Sequence, residues 1–116
     1  MEAYLGVRPE ADSEGCLQDI HWSHGSFGYF PTYSLGSVLA AQLYAAADSE
    51  LDGLESGIRS GEFDDLHGWL DGSVRRHGCR YTTDELIERA TGEALTADHF
   101  LEYAERKFGA LYGFNR

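Results

Sequence analysis

Ser34-Leu-Gly-Ser-Val-Leu-Ala-Ala-Gln-Leu-Tyr-Ala-Ala-Ala47 is the stretch on which the fold turns. Leu35, Val38, Leu39, Gln42, Leu43 and Ala46 recur at three- and four-residue steps. That spacing lines one face of an α-helix, and the alanines between them suit a helix because they lose no side-chain entropy. Towards the C-terminus the same period returns. A short, glycine-interrupted acidic helix is expected over Ser49 to Ile58. Asp64 is placed to cap a helix with the apolar stripe Leu66, Trp69, Leu70 and Val74, ending at His77-Gly78 with Arg75 and Arg76 in its last turn. Thr82-Thr83-Asp84-Glu85 is a capping box opening a helix with Leu86, Ile87 and Ala90, stopped by Gly92. Thr96 is placed to cap a last helix whose buried face is Phe100, Leu101, Ala104, Phe108 and Leu111. No run alternates at period two and no repeat is visible, so the expected fold is all-α, with four to five helices.

Upstream of Ser34 the helical period is lost. Arg8-Pro9, the cluster Asp12-Ser13-Glu14-Gly15 and the glycines at 25 and 28 break any long helix. The expected organisation is one domain over residues 1–116, irregular over 1–33 and helical over 34–116. A chain of 116 residues has room for a single core, and 42% hydrophobic with 13% aromatic residues is enough to build one.

Charge narrows the function classes. Twenty acids oppose nine bases, for a net charge of −11, and eight of the nine bases are arginine. Such a chain repels a phosphate backbone, which argues against nucleic acid as a partner. Residues 48–71 alone hold eight acids and one base, the pattern of a solvated face. High negative charge with almost no lysine suits a protein adapted to molar salt, where the screening length falls to about 3 Å. A halophilic source is therefore expected. The least polar run, Leu35 to Ala47, is shorter than the about 20 apolar residues that a bilayer requires, and Met1-Glu2-Ala3-Tyr4 does not open a signal peptide. The expectation is a soluble, cytoplasmic chain with no membrane partner. Cys16 and Cys79 lie far apart with no metal-binding spacing, which suits buried free thiols.

Chemistry has few places to reside. His21 and His24 are three apart, as two ligands on one helical turn would be, but no spacing nominates a third from His67, His77 or His99. The sequence contains no HExxH, no GxSxG elbow, no phosphate loop and no calcium loop. No metal site is expected within these residues. The unusual segment is Gly15 to Gly36, which gathers Trp22, Phe27, Tyr29, Phe30 and Tyr33 with His21 and His24 among glycines, just ahead of a helix. It reads equally well as a loop pinned to the core by its rings or as a binding loop. In the second case Tyr hydroxyls and a histidine donate to a substrate or a developing oxyanion.

Gly15-x-x-Gln18-Asp19-x-His21-Trp22-Ser23, followed by Gly25, Gly28-Tyr29-Phe30-Pro31-Thr32-Tyr33 and Leu35-Gly36, closely resembles a signature of the carboxypeptidase Taq family of zinc metallocarboxypeptidases. Ala40-Ala41-Gln42-Leu43, Gly68-Trp69-Leu70, His77-Gly78, Tyr81-Thr82, Glu85-Leu86-Ile87, Ala90-Thr91-Gly92 and Tyr112-Gly113 extend the resemblance over nearly the whole chain. It implies an enzyme that removes single residues from peptide C-termini with a zinc-bound water. It also implies that this sequence corresponds to the family's C-terminal segment, with the HExxH helix and the glutamate zinc ligand upstream of it. On that reading His21, Tyr29 and Tyr33 are candidate donors to the scissile carbonyl or the substrate. Gly25 and Gly28 shape the loop, Gln18, Asp19 and Trp22 hold it, and His24 is less favoured because the signature does not demand histidine there. No zinc ligands lie in this chain, so it is expected to be inactive alone. Its expected partners are a zinc-bearing N-terminal half or a second copy in a homodimer, with peptide as substrate only once the site is complete. The alternatives are a non-catalytic helical interaction module derived from the family and, last, a small enzyme using His21 and His24 with a metal.

Overall fold

A computed structural model describes residues 2–113. Among them every regular element is helical: α1 (Glu2–Leu5), α2 (Ile20–Ser23), α3 (Pro31–Glu50), α4 (Leu54–Ser60), α5 (Asp64–Ser73), α6 (Thr83–Thr91) and α7 (Asp98–Tyr112), with three single 3-10 turns. The fold is all-α, and five helices follow the N-terminal third. That third is less irregular than its sequence suggests, since α1, α2 and the 3-10 turns Asp12–Glu14 and Cys16–Gln18 lie within it. The chain divides into two compact units, residues 1–35 and 36–116. None of the described helices is long and apolar enough to cross a membrane.

In the second unit the core forms where the α3 stripe meets the acidic middle segment. Ala47, Leu54 and Trp69 are buried together, with Leu43, Ala46, Leu51, Ile58, Leu66 and Leu70 packed around them. The Trp69 indole N–H donates to Glu50 Oε2 at 2.8 Å, so burying the ring does not orphan its donor. Among the described residues Gln42 is the one buried polar residue, 1% exposed. Its Nε2 donates to Thr91 Oγ1 at 3.1 Å and to the Ala94 carbonyl at 3.0 Å, while its Oε1 accepts from the Thr96 amide at 3.1 Å. One side chain thus clasps α3 to the end of α6 and the turn before α7. Ile87 and Ala90 are buried on α6.

The capping box of α6 forms as its spacing requires. Glu85 donates its amide to Thr82 Oγ1, and the Glu85 carboxylate accepts from the Thr82 amide at 2.9 Å. The Thr82 amide, and the Thr82 hydroxyl that donates to the same carboxylate oxygen at 3.0 Å, hold the Glu85 carboxyl below its ordinary range. Other boundaries differ from expectation. The last turn of α3 runs on to Glu50, so α4 begins only after the left-handed Gly53. Phe63, not Asp64, precedes α5, and Asp64 serves the helix dipole from within the first turn. Thr96 Oγ1 accepts from the Asp98 amide at 3.2 Å, but the N-cap position is Ala97, one residue later.

Two expectations about burial are corrected. On α7 only Phe100 and Ala104 of the apolar stripe are half-buried, whereas Leu101, Phe108 and Leu111 are exposed. The stripe has helical periodicity, but no described element lies over its outer part. Cys16 and Cys79 are free as expected but exposed, because each sits on a turn with little packed against it.

Candidate functional site

The first unit gathers its rings around one histidine. Asp19 is the N-cap of α2, and its Oδ1 accepts from the His21 backbone amide at 3.0 Å. The same oxygen lies 2.7 Å from the His21 ring Nδ1. A carboxylate two residues before a histidine reaches both groups because the capping geometry places the second helical residue, amide and side chain, beside the cap. Both side chains keep only about a fifth of their exposure. They are the two least exposed chemically active groups of a unit in which no described residue is fully buried.

Beyond Ser23 the chain reverses. The Gly25 amide donates to the Trp22 carbonyl and the Ser26 amide to the His21 carbonyl at 2.9 Å. Gly25 and Gly28 both take φ of +76°, the left-handed region that a Cβ disfavours. Pro31 then opens α3, where its missing N–H costs nothing because first-turn amides have no helical partner. This reversal brings the start of α3 onto the His21 ring. Tyr33 Oη lies 3.3 Å from His21 Nε2, at the long end for a hydrogen bond. Ring centroids lie 4.9 Å away for Tyr29, 5.7 Å for Tyr33 and 5.9 Å for Phe30. Tyr29 and Tyr33 meet edge-on at 5.9 Å.

The structure therefore brings together Asp19, His21, Tyr29 and Tyr33, with Phe30 as an apolar neighbour to which the sequence reading gave no role. Its place beside Tyr29 in the glycine-flanked aromatic run was the available signal. Trp22 stands apart from this group and packs on Phe27, ring centroids 6.1 Å apart. Gln18 lies on the other side of α2 in sequence, and its side-chain amide donates to the Ser13 carbonyl. His24 supplies the residue after α2, and its amide donates to the His21 carbonyl at 3.1 Å. Among the described residues no three His, Cys, Asp or Glu side chains converge as metal ligands. What the cluster offers chemically is a carboxylate–imidazole–phenol chain, with a second phenol beside it. It can accept, donate or pass a proton, but it holds no activated nucleophile.

Comparison with known proteins gives this site a context. The sequence profile of the family described as carboxypeptidase Taq (M32) metallopeptidase matches residues 1–108. The chain is 46% identical over 110 residues to thermostable carboxypeptidase 1 of Thermus thermophilus, covering 95% of this chain and 22% of that protein. It is 44% identical over 108 residues to thermostable carboxypeptidase 1 of Pyrococcus furiosus, covering 93% and 22%. Among solved structures it is similar to the M32 carboxypeptidase of Deinococcus radiodurans, with a TM-score of 0.91 at 51% identity, covering 97% of this chain and 23% of that one. The chain thus spans about a fifth of the length of the relatives it matches.

Proposed function

This chain belongs to the carboxypeptidase Taq (M32) metallopeptidase family, and from that premise we propose that it is the C-terminal, substrate-cleft portion of a zinc metallocarboxypeptidase. In this reading the His21 loop lines the cleft, and His21, Tyr29 and Tyr33 present hydrogen bonds to the scissile carbonyl or the peptide. Gly25 and Gly28 give the loop its reversal, while Gln18, Asp19 and Trp22 hold it. The observation that carries the reading is the convergence of Tyr29 and Tyr33 on the His21 ring within the family-matched region.

These residues do not fit zinc. A catalytic zinc site takes three protein ligands and an open position, whereas the sequence has no HExxH and no described trio of ligating side chains converges. Zinc and the general base would belong to the family's other portion, in the same polypeptide or another, and zinc would supply the activated water there. The 116 residues alone are then inactive. The apolar surface of the first unit supports completion by more protein over a self-sufficient binding module: Phe27 is 75%, Leu17 66% and Ile20 63% exposed, and no described residue of the unit is buried.

The test is hydrolysis of a blocked dipeptide in high salt, with zinc content measured on the same sample. The chain alone should hold well under one zinc and release no amino acid. Adding a zinc-loaded polypeptide that supplies the HExxH portion should restore release. In that complex His21→Ala and Tyr33→Phe should each lower kcat by about 100-fold, the low end for removing an oxyanion donor. Stoichiometric zinc with release by the chain alone would overturn the proposal. So would restored release that is indifferent to both substitutions.

A further inference from the structure

An imidazole has two nitrogens, and a hydrogen bond at one decides what the other can do. At His21 the bond is made to Nδ1. Asp19 Oδ1 sits 2.7 Å away, and a carboxylate only accepts, so this geometry needs the proton on Nδ1. In the neutral ring Nε2 is then left with a lone pair and no hydrogen. Its neighbour is Tyr33 Oη at 3.3 Å, so the phenol must donate inward, towards the histidine. The titratable groups facing the ring among the described residues are Asp19, Tyr29 and Tyr33.

We propose that Asp19 is a positioning residue that fixes His21 as the Nδ1–H tautomer, so that Tyr33 turns its hydroxyl proton outward only when the His21 ring is protonated. The proton balance is simple. The neutral ring accepts from Tyr33. One proton taken from solvent at Nε2 reverses that bond, because Nε2–H now donates to the Tyr33 oxygen. The phenol O–H, no longer held by the ring, can donate to a substrate oxygen, and the imidazolium behind it strengthens the donation. His21 and Tyr33 are on this account a single donor with an on and an off state, not two independent donors. Placing this donor against a peptide rests on the carboxypeptidase reading; placing the proton does not.

Asp19 has two tasks that a substitution can separate. Serine is as good an N-cap as aspartate, so Asp19→Ser keeps α2 capped, yet its side chain is too short to reach the ring Nδ1. The experiment is a long-range ¹H–¹⁵N correlation of the histidine rings of the whole chain at about pH 9, well above the ordinary histidine value near 6.5. His24, for whose ring the described residues supply no such carboxylate, serves as the internal reference. In the wild type the His21 Nδ1 should give the shift of a protonated ring nitrogen and Nε2 that of a bare one. Asp19→Ser should reverse this towards the Nε2–H form of free histidine while the backbone amide spectrum of residues 20–24 persists. Tyr33→Phe should leave the proton on Nδ1 and move only the Nε2 signal. A wild-type His21 with the same tautomer as His24 overturns the proposal, whether because the bond is absent or the loop unformed. So does an Asp19→Ser chain in which the tautomer does not change. If the tautomer is as assigned but the completed enzyme releases no amino acid, the carboxypeptidase reading fails and the proton assignment stands.

Discussion

Gln42→Ala is the substitution that tests the second unit hardest. The wild-type side chain is 1% exposed and makes three hydrogen bonds, to Thr91, Ala94 and Thr96. At about 1 kcal/mol net for each bond, the loss begins near 3 kcal/mol. The Ala94 carbonyl lies on an exposed residue and regains water. The Thr96 amide is half-buried, and leaving it unpaired adds about 1 kcal/mol, at the low end of the cost of an orphaned donor. The sum is about 4 kcal/mol, a large share of the 5–15 kcal/mol typical of a domain. For a unit of this size that lowers Tm by roughly 15 °C or more. The assay is urea unfolding followed by far-ultraviolet circular dichroism and extrapolated linearly. Gln42→Glu is the isosteric control. Its carboxyl can still accept from Thr96, but it can donate to the Ala94 carbonyl only when protonated. Folding therefore raises its pKa. Its stability should be fullest below the ordinary carboxyl value near 4.3 and should be lost as pH rises from about 4 to 8. A Gln42→Ala chain within about 1 kcal/mol of wild type would refute the claim that this side chain ties α3 to the α6–α7 turn.

Acid should loosen the start of α6. The Glu85 carboxyl is held below its ordinary value by the Thr82 amide and hydroxyl, so its contribution is present above the unfolded value near 4.5 and is lost as pH falls through the folded one. Protection of the Glu85 amide relative to its intrinsic exchange rate should fall over that range, and Glu85→Gln, which keeps the box without a titrating group, should abolish that fall in protection. Because the chain carries a net charge of −11, raising KCl from about 0.1 M to 2 M should raise Tm by screening self-repulsion. A flat or falling response would refute adaptation to high salt. Cys16 and Cys79 are both exposed, so an aromatic disulfide reagent should titrate two thiols per folded chain at the rate of the urea-unfolded one. Protection of either would refute its exposure.

What was legible in the sequence is what local spacing governs. The Thr82/Glu85 box needs only residues three apart, and it forms as read. The α3 stripe placed Gln42 on the inward face, but nothing local could name partners about fifty positions away. At the site, Gly25 and Gly28 signalled a reversal and the aromatic run signalled rings. That the reversal would lay Tyr33 on the His21 ring depends on the path between them, which no pairwise spacing encodes. The Asp19 contact with the ring was within reach, because an N-cap carboxylate two residues before a histidine has both groups near it.

The largest misreading, the outer face of α7, carries its own argument. Amphipathic periodicity reports that a face is made to be covered, not what covers it. Leu101, Phe108 and Leu111 keep that periodicity yet remain exposed, as do Leu17, Ile20 and Phe27 in the first unit. Apolar side chains repeatedly placed on surfaces that the described residues leave open are costly for a protein that works alone. They are ordinary for a polypeptide that matches only about a fifth of its relatives' length. The aromatic loop belongs to the same logic. Asp19, His21 and Tyr33 are held to one another by local contacts, so in the proposed reading the donor chain would be preformed while the cleft would not. The donor chain needs only the local turn, whereas the proposed cleft would need the rest of the fold.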